Sequence, residues 1–192
     1  MITKQPPSSQ RRHFARCMLH SAPGQSAVIV ALLLPFLIAF TLLVVEVAER
    51  WLEVAMVEDA LQQATRSAVQ SLDYAALARG QQGLRAPTAC RAVTTVAPGD
   101  CRELIEVANR FFLVNLSGVR GLDESPQAVA ARVHWTVLPT GGSCTLGAPA
   151  RIVAESTPLL CAEVRPQMRG LVGWGAFHPL IVAADTIDPL VR

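Results

Sequence analysis

Cysteine is the residue type whose spacing says most about chemistry in this chain. Cys90, Cys101, Cys144 and Cys161 are grouped from the middle of the chain onward, and Cys17 stands apart near the start. Four grouped thiols can ligate a metal or close into disulfides. A structural metal site draws on C-x-x-C pairs or on histidines at ligand spacing. No C-x-x-C occurs, and His134 and His178 are isolated, so disulfides are the expected use. Four cysteines allow three connectivities. Pairing near neighbours, Cys90–Cys101 and Cys144–Cys161, closes two local loops, each between adjacent elements.

Other reactive groups do not converge. The sequence contains no G-x-S-x-G, H-E-x-x-H, P-loop or G-x-G-x-x-G. Gly170-Leu171-Val172-Gly173-Trp174-Gly175 reads as a loop around a tryptophan. His134 alternates with apolar strand positions and is expected to face solvent. Glu155 and Glu163 could pair across a hairpin, but carboxylates at such positions are usually solvated. Asn115-Leu116-Ser117 matches a glycosylation sequon, which matters only in a eukaryotic source. A net charge of +2, with Lys4 the single lysine, gives no basic stripe for nucleic acid. The expectation is a non-enzyme with no cofactor, no metal and no small-molecule substrate.

The elements that carry these residues begin with an apolar run. The chain of 192 residues has a mean hydropathy of +0.34, high for a soluble protein. Ser21 to Val45 holds no charged side chain, and Ala27–Val45 is nearly all apolar. Nineteen such residues span roughly 29 Å as a helix, close to the hydrocarbon thickness of a bilayer. A cleaved signal peptide would have a shorter apolar region and a small-x-small site; here the run leads into Glu46-Val47-Ala48-Glu49-Arg50. A retained anchor is the expected reading. Arg11, Arg12, His13, Arg16 and His20 precede it, so the positive-inside rule places the N-terminus in the cytoplasm and everything beyond Glu46 outside. Arg11–Arg16 looks a little like a twin-arginine signal, which the length and hydrophobicity of the run argue against.

Beyond the run, Val47, Trp51, Val54, Val57, Leu61, Ala64, Ala68, Leu72 and Ala75 recur at steps of three and four, one stripe of a helix. The pattern predicts a single helix over 24–78, its inner half apolar all round and its outer half amphipathic. A narrow stripe of this kind suits a small domain or another long helix. Pro35 sits mid-span, where a kink is tolerated. A linker is expected over 79–89, and an α+β domain over 90–192 with a short antiparallel sheet packed on helices. In it, Asp100 and Glu103 suggest a capping box before a helix at Cys101–Leu116. Alternation from Val129 to Val137 suggests a strand, with further strands at Arg151–Glu155, Leu159–Val164 and Pro179–Ala184.

The stretch Ala27-Val28, Ala31-Leu32-Leu33-Leu34-Pro35, the acid Glu46 and the Ala/Gln-rich Leu61–Ser71 together resemble the N-terminal segment of TadE/TadG-like proteins. These are minor-pilin-like components of the tight-adherence (Flp) pilus system of bacteria. The resemblance covers about Gly24 to Leu72. It implies a single-pass protein of the bacterial inner membrane, with a basic cytoplasmic segment over 1–23 and a pilin-like exported domain. Its partners would be the membrane, other pilin-like subunits and pilus assembly proteins, in cell adhesion or secretion. It also marks Gly24–Gln25 as the bond a prepilin peptidase would cut. Ile29 stands where such members carry a glutamate, which moves the chain toward anchored or filament-capping relatives. The helix-packing surface would comprise Pro35, Glu46, Trp51, Val54, Val57 and Leu61. For Glu46 two readings stand: a solvated marker of the membrane boundary, or a registry contact between packed helices. The alternative function is an anchored exported domain with a ligand-binding or enzymatic role.

Overall fold

The structure, a computed structural model, describes residues 23–71, 73, 78–79, 83–86, 88–147, 150–154, 157–170 and 175–187. The basic segment up to residue 22, Cys17, Leu72, Ala75, Glu155 and Leu171–Trp174 lie outside the described residues. The chain divides into two compact units, Met1–Val44 and Val45–Arg192. They share the helix α1 (Pro23–Val69) and are taken in turn.

In the first unit every described side chain from Ala27 to Val44 is exposed. This stretch is apolar enough, and α1 long enough, to cross a membrane. Pro35 lies inside the helix. Thr41, the polar side chain of the stretch, donates its hydroxyl to the Leu37 carbonyl at 2.8 Å, so its hydrogen-bonding capacity is spent on the helix itself.

The second unit is α+β. After α1 come β1 (Cys90–Val93), a 3-10 turn (Thr94–Val96), α2 (Gly99–Leu116), α3 (Pro126–Ala131), β2 (His134–Leu138), β3 (Gly142–Leu146), β4 (Ala150–Ala154), β5 (Leu159–Val164), β6 (Met168–Arg169), β7 (Ala176–Phe177) and β8 (Ile181–Thr186). Strands β1-β2-β5-β8 form one antiparallel sheet in that order, while β3–β4 and β6–β7 are separate hairpins.

Alternation along the strands gives the sheet two apolar faces. Trp135, Val137, Leu160, Ala162, Val164 and Ala183 join a core with Val57, Leu61, Ala64 and Ala68 of α1 and Leu104, Ile105, Ala108 and Phe112 of α2. On the other face Leu159 and Cys161 are covered by Cys144, Leu146 and Ala154 of the β3–β4 hairpin. Helices, sheet and hairpin therefore stack as three layers. A disulfide fastens each junction: Cys90–Cys101 ties the edge strand β1 to the first turn of α2, and Cys144–Cys161 ties the hairpin to β5. The near-neighbour connectivity is the one observed, with Cα–Cα distances of 6.6 Å in both.

Several sequence expectations are corrected. The helix expected to reach residue 78 ends at Val69. Ser71 N–H tightens onto the Ala68 carbonyl, and the backbone then pairs with the returning chain, Asp73 N–H to Gly83 and Arg85 N–H to Ser71. Ser and Asp favour such departures, because their side chains compete for backbone groups. The expected linker is partly core, with Leu84 and Ala86 buried. The proposed capping box is absent: α2 starts at Gly99, so Asp100 lies inside its first turn and accepts from the Thr88 hydroxyl at 3.1 Å. Glu103 instead pairs with Arg85 at 2.6 Å. The strand expected from Val129 begins only at His134, because Ser125-Pro126 starts a helical turn. Ser125 Oγ accepts from Ala128 N–H at 3.2 Å, and proline holds the first helical position. Leu159–Val164 is a strand with the expected bounds.

Candidate functional site

The face of α1 just beyond Val45 is where charge, aromatic groups and backbone come together. Glu46, Arg50 and Glu53 follow one another at steps of four and three, which aligns them on one side of a helix. That side faces the chain's own domain. Glu46 is 1% exposed and Glu53 8%. Arg50 Nε donates to Glu46 Oε1 at 2.8 Å, and its guanidinium lies 5.0 Å from the centroid of the Phe177 ring, within cation–π range. Arg50 Nη2 is buried and has no hydrogen-bond partner among the described residues. Arg120 N–H donates to Glu53 Oε2 at 3.1 Å.

Two glycines make these contacts possible. A β-carbon on Gly170 would collide with the Glu46 carboxylate, and one on Gly121 would come within 2.9 Å of Glu53 Cγ. The two glycine segments are joined to each other: Arg169 N–H donates to the Gly121 carbonyl at 2.9 Å, and Leu122 bridges Met168. Two acids seven residues apart are thus each capped by a glycine segment, and the segments form one backbone-linked patch.

The predicted helix-packing residues divide. Val57 and Leu61 are fully buried in the chain's own core, so they are not open to a neighbouring helix. Val54 packs at the edge of that core. Trp51 is 76% exposed. The solvated reading of Glu46 is corrected, since its carboxylate is enclosed by its own domain; desolvating a carboxylate costs several kcal/mol unless it is paired, and here it is paired. Pro35 is exposed in the apolar stretch, and Gly24 and Gln25 lie in the first turn of α1. The four cysteines are bonded as two pairs.

Glu53, Gly121, Gly170 and Phe177 were not singled out by sequence. The step of seven from Glu46 to Glu53, with Arg50 between, carried a signal: a helix that buries Val57 and Leu61 also turns positions 46 and 53 inward. A shallow cavity elsewhere is lined by Arg132, His134, Glu163, Arg165 and Leu180. His134 is exposed and stands opposite Glu163 in the β2–β5 register, and Glu163 accepts from Gly147 N–H at 3.4 Å. Among the described residues no serine, threonine or cysteine lines this cavity. Among the described residues no cluster of three His, Cys, Asp or Glu side chains is placed to hold a metal ion. The geometry at Glu46–Arg50–Phe177 is an i,i+4 ion pair with a cation–π contact, closed over by the Gly170 segment. No family model, no curated protein and no solved structure matches the chain.

Proposed function

We propose that this protein is a non-catalytic, membrane-anchored component of a Tad/Flp-type pilus or related secretion machine, with its N-terminus in the cytoplasm and its three-layer domain exported. The observation that carries the reading is the order of parts along the chain. An exposed apolar helix with an internal proline is followed by a small α+β domain stapled by two disulfides, which an oxidising compartment favours. The assignment to the pilus system rests on the sequence resemblance over Gly24–Leu72. Because the outer part of the α1 stripe, from Val57 to Ala68, is filled by the chain's own core, the surface for a neighbouring subunit moves to α2. There Phe111 and Val114, three residues apart on one helix face, are exposed. The test is co-purification from membranes of the source bacterium. Phe111→Arg with Val114→Arg should abolish recovery of other pilus components while the protein stays membrane-inserted. Unchanged recovery would sink the assembly role.

A further inference from the structure

Between Val45 and Met56, α1 displays its side chains in the reverse of a water-facing helix. Its ionisable groups are drawn toward the domain: Glu46 and Glu53 are buried, and Glu49 and Arg50 partly so. Its exposed side chains are apolar, among them Val47, Trp51, Leu52 at 61% and Met56. At about 100° per residue, Val47 and Trp51 fall on one flank of the buried face, and Leu52 and Met56 on the other. Apolar surface therefore covers both flanks that the domain leaves open. From Glu58 the ordinary rule returns, with Glu58, Asp59, Gln62 and Gln63 exposed and joined by i,i+4 hydrogen bonds.

A helix in water puts charge outward and apolar residues inward; one surrounded by lipid turns its ionisable residues to protein and its apolar residues out. Residues 45–56 follow the second rule. They also continue the exposed apolar side chains that run from Val28, a run interrupted by Thr41, whose hydroxyl is bonded to the Leu37 carbonyl. Trp51 stands midway along this collar, and tryptophan is enriched at the headgroup level. Arg120, on the segment that caps Glu53, is an exposed cation suited to phosphate, whereas Arg169, beside Gly170, is exposed but lies 3.5 Å from Asp123.

We infer that the collar Val45–Met56 is seated in the outer interfacial layer of a phospholipid bilayer, with lipid against its exposed apolar side chains. The occupant of the surface is lipid, because a partner helix would need one stripe and the apolar side chains here occupy two flanks. This inference rests on the reading that α1 crosses a membrane.

The test uses the full-length protein in phosphatidylcholine–phosphatidylglycerol vesicles with brominated acyl chains. Brominated lipid should quench a tryptophan component that is absent in Trp51→Phe, a variant at an exposed site that leaves the core intact. Acrylamide, a water-soluble quencher, should leave that component unaffected. Quenching of the Trp51 component by acrylamide and not by brominated lipid would overturn the inference. In cells, a photoreactive benzoylphenylalanine at position 51 should cross-link to phospholipid; cross-linking to one protein band would overturn it in favour of a protein partner. Alkaline carbonate extraction separates the two readings. Release from the membrane defeats the anchor itself, whereas retention with a water-exposed Trp51 defeats only the lipid seat.

Discussion

Gly170 lies so close over Glu46 that no β-carbon fits between the glycine and the carboxylate, although the two are far apart in the chain. The contact brings backbone directly against an acid that is already bonded to Arg50. Gly170→Ala should therefore displace a paired side chain, costing about 1–3 kcal/mol, the range for overpacking a close-fitted site. In a Glu46→Ala background the same substitution should cost much less. Chemical unfolding of the detergent-solubilised chain, run as a double-mutant cycle, would show the coupling; equal costs in both backgrounds would mean the contact carries no energy.

Glu46→Gln should be more harmful than a solvated boundary residue would allow. It removes the charge that offsets Arg50, whose side chain is only 27% exposed. Breaking a fully buried pair costs roughly 3–5 kcal/mol; with Arg50 partly in water the loss should be about half that. A change under about 0.5 kcal/mol in the same unfolding assay would return Glu46 to the role of a marker.

Leu61 tests where the α1 stripe goes. Leu61→Ala should destabilise the domain by about 2–5 kcal/mol through a cavity in the core. Leu61→Arg should prevent folding, and both effects should appear in the purified chain with no partner present. A stable, folded Leu61→Arg protein would mean that the stripe faces outward after all.

Each disulfide should stabilise the domain by about 3 kcal/mol in the loop-entropy account, given sequence separations of 11 and 17. Peptide mapping without reductant should recover Cys90 with Cys101 and Cys144 with Cys161. Cys144→Ser with Cys161→Ser should loosen the β3–β4 hairpin first, since that pair joins it to β5. Hydrogen exchange should then rise in 142–154 before the α2 core.

Orientation is checked through Cys17. An impermeant thiol reagent applied to whole cells should leave Cys17 unmodified and, after reduction, reach the four distal cysteines. Labelling of Cys17 alone would invert the topology drawn from the flanking arginines.

What sequence made legible follows the strength of local pattern. Leu159–Val164 is dense in apolar residues and forms the central strand β5 as expected. The cysteine pairing followed from chain proximity. Val129, Ala130 and Val133 fit a helical turn about as well as Val129, Ala131 and Val133 fit an alternating strand, and Ser125-Pro126 decided between them in a way hydropathy did not reveal. The inward turn of Glu46 and Glu53 was hidden for a different reason. Hydropathy ranks residues by affinity for water, so it placed the acids outside and drew the apolar stripe through Val47 and Trp51. What reverses that choice is the arrival of Gly121 and Gly170 from distant segments, a tertiary event to which the spacing of α1 contributes only the step of seven from Glu46 to Glu53.

The outer part of α1, from Val57 to Val69, supplies one wall of the domain's core. The domain is therefore not a module that begins after residue 79. A protease cutting near Gly80 would not shed an intact soluble head, since Phe112 and Trp135 would lose the side chains packed beside them. Recombination that exchanges membrane segments among related chains would preserve the fold only with a breakpoint near Val45. Anything joined at Gly80 would have to bring its own Val57, Leu61 and Ala64. The heritable unit is larger than the globular one, and it begins where the exposed apolar stretch of α1 ends, near Val45.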